Sequence, residues 1–132
     1  MERRAIEFHD SELLFVRREG PNLRVRVSAY VHVSDGEPGR DSGTGWTQDV
    51  DFILRDALVE TAAPAGKLEL ADGRLRIDDR LLENLVPLPF EDVGAVKLEL
   101  DGIGGKFCAT ATSLSLLEAG EARFVEDVPG ET

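Results

Sequence analysis

Apolar and polar residues alternate with period two along most of this chain. Residues 23–33, LRVRVSAYVHV, put Leu23, Val25, Val27, Ala29, Val31 and Val33 on one side and Arg24, Arg26, Ser28, Tyr30 and His32 on the other. An antiparallel strand with one face on a core and the other toward water has this pattern. The run SELLFVRRE at 11–19 predicts a preceding strand, and Gly20-Pro21-Asn22 predicts a turn, so 12–33 reads as a hairpin. A Gly-rich connection follows at 34–45. A third strand is predicted over 46–60, with Trp46, Gln48, Val50, Phe52 and Leu54 on one side and a bulge or bend near Arg55-Asp56.

Beyond the break at 61–66, residues 67–78 predict a second hairpin, with Asp72-Gly73 in a type I′ turn. Residues 79–90 are the one segment that could begin as a short helix, before Pro87 and Pro89 end it. Strands follow over 95–102 and 106–118, joined by a turn at 102–105, and a last short strand ends the run 119–128. The expected fold is all-β: a single-domain antiparallel β-sandwich or flattened barrel of about eight strands, with at most one short helical segment. The domain spans 1–132, with frayed ends at 1–5 and 129–132.

Charge narrows the partners. The net charge is −11, and it is uneven: residues 1–33 sum to +1 and residues 34–132 to −12. Such a surface repels phosphate backbones and anionic lipid, so nucleic acid and membrane are excluded as partners. A protein partner, a second copy of the chain or a small-molecule ligand remain. Cys108 is the only cysteine, which excludes an internal disulfide and a Cys-based zinc site. The opening MERRAIEFHD lacks the apolar run of a signal peptide, so a cytoplasmic location is expected.

The candidate chemistry follows from the hairpin. Folding 12–33 about Pro21 places position 10 opposite position 32. His9, Asp10 and Ser11 should then lie near Tyr30 and His32, and Trp46 and Gln48 leave from the same end. These seven residues are the candidate ligand-binding set. No catalytic residue and no cofactor is assigned. No metal site is assigned either, because His-x-His and His-x-x-x-His are absent and 35–46 fails the calcium-loop pattern. The Asp-Ser-Gly at 41–43 lacks the glycine of a nucleophile elbow, and the loop lacks the Gly-Lys-Ser/Thr of a phosphate loop.

The opening IEFHDSELLFV resembles the start of small bacterial all-β proteins that enter their domain through Phe-His-Asp-Ser, some of them suspected immunity or accessory proteins. The resemblance implies a small bacterial β-protein and no particular reaction. The expected function is therefore a non-catalytic binding or protein-interaction module of a bacterial cytoplasmic protein. The alternative is a small-molecule-binding protein or minor enzyme, with its site at the sheet end formed by His9, Asp10, Tyr30, His32 and Trp46.

Overall fold

A computed structural model describes residues 2–130. The chain is all-β, as the alternation predicts. Ten strands run in order: β1 (Arg3–Glu19), β2 (Asn22–Ser34), β3 (Gly43–Arg55), β4 (Leu58–Thr61), β5 (Leu68–Ile77), β6 (Arg80–Glu83), β7 (Leu85–Pro87), β8 (Phe90–Gly102), β9 (Gly105–Glu118) and β10 (Arg123–Val128). All pairings are antiparallel. Six strands close on themselves in the order β1-β2-β3-β9-β8-β5, and β3–β9 completes the circuit. The other four line its edges, with β4 on β9, β6 on β5, β7 on β1 and β10 on β3. The architecture is thus a barrel rather than a sandwich. No helix among the described residues is long and apolar enough to cross a membrane.

Closure removes most sheet edges and turns one face of every long strand inward. Val25, Val27, Val50, Phe52, Leu54, Leu75, Leu98, Leu114 and Leu116 are fully buried there. Phe8 and Phe52 stack with ring centroids 5.9 Å apart. The β1–β5 seam is narrow, since only Glu12–Glu69 and Leu13–Leu68 pair across it.

Two local expectations are corrected. Residues 67–78 are not a hairpin: β5 runs straight through Asp72-Gly73, and neither residue has the positive φ that a type I′ turn needs. The Asp-Gly pair serves packing instead. A one-residue register shift against β8 falls between Leu70 and Asp72. A Cβ on Gly73 would sit 2.5 Å from the Phe8 ring, so the missing side chain makes room for that phenylalanine. The actual hairpin joins β5 to β6, through Asp78 in the left-handed region (φ +53°) and Asp79.

Residues 79–90 form no helix. Leu82, Val86 and Leu88, which pack on or in the core, share a parity as readily as a helical face. Asn84 settles the choice: its φ of +62° breaks any helical run and separates β6 from β7. At the N-terminus, strand structure begins at Arg3, and Arg3–Glu7 pair with β2. The expected fraying of residues 1 and 131–132 lies outside the described residues.

The Gly73–Phe8 contact gives a direct test. Gly73→Ala should lower stability by about 1–3 kcal/mol, the usual cost of overpacking a tight core. The midpoint of urea denaturation would show it. A neutral result would mean that Phe8 does not lie against Gly73.

Candidate functional site

The run Phe8-His9-Asp10-Ser11 lies inside β1 and not before it. Glu7 pairs with Tyr30 and Glu12 with Ser28, so four residues of β1 stand opposite Ala29 alone. This four-against-one insertion is a special bulge, larger than the ordinary two-against-one kinds. It also corrects the expected register: Ala5, not position 10, faces His32.

Two side chains hold the bulge. The Ser11 hydroxyl donates to the Glu7 carbonyl at 2.5 Å and accepts from the Tyr30 amide at 3.0 Å. Asn84 binds it from β7's side: its carbonyl accepts the Phe8 amide (2.8 Å), its side-chain oxygen accepts the His9 amide (2.9 Å), and its NH₂ donates to Glu7 Oε1 (3.3 Å). Asp10 sits in the left-handed region at φ +73°. In a regular strand Asp10 would follow Phe8 inward. Here Phe8 is buried while His9 and Asp10 are exposed, with His9 Nδ1 3.2 Å from Asp10 Oδ2. One donor atom each from Glu7, His9 and Asp10 lies within 4.8 Å of the others.

Tyr30 stands beside this group. Its ring crosses Gly45, where any Cβ would overlap the hydroxyl, and its hydroxyl lies 3.3 Å from Glu126 Oε1 on β10. Burial, then the charges of Glu126, Glu7 and Asp10, push the phenol up to about 12. Glu7, Gly45, Asn84 and Glu126 were all missed in the sequence. Only Asn84 carried a signal there, as a residue type that tolerates positive φ.

His32 is buried beneath the β2–β3 connection. Its Nδ1 accepts the Gly39 amide, which places the proton of the neutral ring on Nε2. That Nε2 has no protein partner among the described residues. The connection turns on Glu37, whose carbonyl accepts the amides of Arg40 (3.1 Å) and Asp41 (2.8 Å). Beside it lies an open hollow of about 650 Å³. Glu2, Asp35, Asp41 and Asp127 line it together with Ser34 and Ser42, and no lysine or arginine does.

The seven candidate residues therefore do not form one site. Val31–Trp46 and Ala29–Gln48 are pairs on the barrel's inner face, whereas Tyr30 and His32 point outward. The sheet separates the two sets. Trp46 Nε1 donates to Thr44 Oγ1 (2.8 Å), and Gln48 Nε2 donates to the Gly120 carbonyl (2.8 Å). His9, Asp10, Ser11 and Tyr30 do gather, around Glu7. Cys108 is half-buried on β9, and burial pushes its thiol up, which disfavours the nucleophilic thiolate.

Tyr30 is the only tyrosine, so tyrosinate absorbance reports it alone. Its folded pKa lies above the unfolded value of about 10. The neutral phenol's stabilisation is thus complete below about pH 10 and is lost as pH rises toward 12. The native protein should titrate with a midpoint near 12, and Glu126→Gln should move it downward. A native midpoint near 10 would contradict this packing. Comparison with protein-family models, curated proteins and solved structures returned no match.

Proposed function

We propose that this chain is a non-catalytic binding module, working in a bacterial cytoplasm, whose acidic hollow receives a basic segment of a protein partner. One observation carries the reading: four acidic residues line an open hollow of about 650 Å³ with no basic residue among its lining, and of their carboxylates Asp41 accepts the Glu37 amide. Like charges so concentrated gain from a lysine or arginine brought among them, and the surrounding field steers such a partner inward. The charge of −12 over residues 34–132 extends that field well beyond the hollow. The serine hydroxyls are partly committed, since Ser34 Oγ donates to the Ser42 carbonyl and accepts the Gly36 amide. The carboxylates of Asp35 and Asp127 make no hydrogen bond or ion pair among the described residues, which leaves them available to a ligand.

A second reading is a small-molecule site on the bulge. It draws support from the His9–Asp10 pair and the Tyr30 hydroxyl in the same acidic neighbourhood. It lacks the enclosed apolar walls that usually bind small molecules.

Titration of isotope-labelled protein with a lysine- and arginine-rich peptide separates these readings. Shifts should concentrate at residues 34–44 and 127–129, and affinity should fall at least about tenfold between about 50 and 300 mM salt. Asp35→Asn with Asp127→Asn should weaken binding by about tenfold without changing the melting temperature. Lysine acetylation together with arginine-to-citrulline replacement in the peptide should abolish it. Shifts spread evenly over the acidic surface, or binding indifferent to the double substitution, would refute the hollow as the site.

A further inference from the structure

The geometry of the β1 bulge points to a second site: we infer that Glu7, His9 and Asp10 bind a divalent first-row transition ion through one imidazole nitrogen and two carboxylate oxygens. A regular strand could not present these three together, because Asp10 would face away from Glu7 and His9. The left-handed turn at Asp10 brings it round, and the donor atoms converge to within 4.8 Å of one another. Ligands bound about 2.0–2.2 Å from one ion lie about 3–4 Å apart. Small rotations of the exposed His9 and Asp10 side chains close the remaining distance toward the half-buried Glu7.

Three further features support the site. The bulge is held from both sides by Ser11 and Asn84, so its backbone is already in the binding arrangement. The charge there is uncompensated: among the described residues neither Glu7 nor Asp10 is paired with a lysine or arginine, and Glu126 adds a further carboxylate beside Tyr30. The imidazole is accessible, with 59% of the His9 side chain exposed, whereas His32 is buried with its Nδ1 engaged. One nitrogen and two oxygens suit zinc, cobalt or manganese better than the all-oxygen shells of calcium or magnesium. Water would complete the shell and leave positions open to a ligand from outside. This inference does not rest on the acidic hollow, which uses other carboxylates.

Calorimetric titration of the full chain with zinc in a non-chelating buffer is the test, with cobalt absorption as a second readout. One equivalent should bind, and the His9 ring nitrogens should shift in NMR spectra while those of His32 do not. His9→Ala and Glu7→Gln should each weaken binding at least about tenfold. Asp10→Gly should do the same, because glycine keeps the left-handed backbone and removes only the carboxylate. Cys108→Ser should have no effect. Absence of saturable binding, binding that survives His9→Ala, or binding lost in Cys108→Ser would each overturn the assignment.

Discussion

The packing of Phe8 against Gly73 is the contact on which the barrel and its outer face both depend. Four residues of β1 occupy the space of one on β2, and the surplus must go somewhere. Phe8 goes inward, where β5 has no side chain to block it and Phe52 offers a stacking partner. His9 and Asp10 are left outside. β1 therefore contributes to the interior and builds an acidic, histidine-bearing knuckle with the same four residues. The interruption also accounts for the brevity of the β1–β5 seam, since a ladder cannot continue in register through so large a bulge.

Electrostatics divides the surface into two regimes. On the outer face near the β1–β2 turn, charges are matched. Asp51 is buried between Arg24 and Arg26. Burial alone would raise its carboxyl, and the hydrogen bonds from Arg26 and Arg24 more than reverse that, holding it below the usual carboxylate range. Glu19 joins through Arg24 and Arg17. Arg17 and Arg26 also lie over the Phe15 ring. Such a network holds strands together and offers little to a ligand. Toward the other end Arg3–Glu37 and Arg4–Glu118 are paired, but among the described residues Glu2, Glu7, Asp10, Asp35, Glu126 and Asp127 make no ion pair with a lysine or arginine, and only His9 stands beside Asp10. The proposed binding roles fall where the protein has left its charge unmatched.

The long strands were legible because period-two alternation survives when one face is buried. β2 and β3 follow the predicted faces, and the bulge or bend expected near Arg55-Asp56 is a bend at the left-handed Asp56, which ends β3 and separates it from β4. The failures share a cause. Asp72-Gly73, His9-Asp10 and Leu82–Leu88 are local patterns with two physical uses each, turn or bulge, strand entry or strand interior, helix or strand. The use is chosen by what packs opposite. Gly73 is read through Phe8, the bulge through Asn84 at a distance of 75 residues, and Leu82–Leu88 through the left-handed Asn84. The candidate site was half legible for the same reason. His9, Asp10, Ser11 and Tyr30 were placed together from hairpin folding, while Glu126 lies 96 residues from Tyr30 and no local pattern links them.

By itself the sequence determined an antiparallel all-β chain, its acidic balance, the β1–β2 hairpin and the side of β2 and β3 that meets the core. These follow from side-chain alternation and turn chemistry, which act over a few residues. Tertiary structure decided that the sheet closes into a barrel, that the Tyr30 hydroxyl reaches Glu126 on β10, and that Asp10 turns toward Glu7. Each of those depends on register accumulated across bulges. A single extra residue moves a side chain to the other face of the sheet, and only contacts between distant strands hold it there.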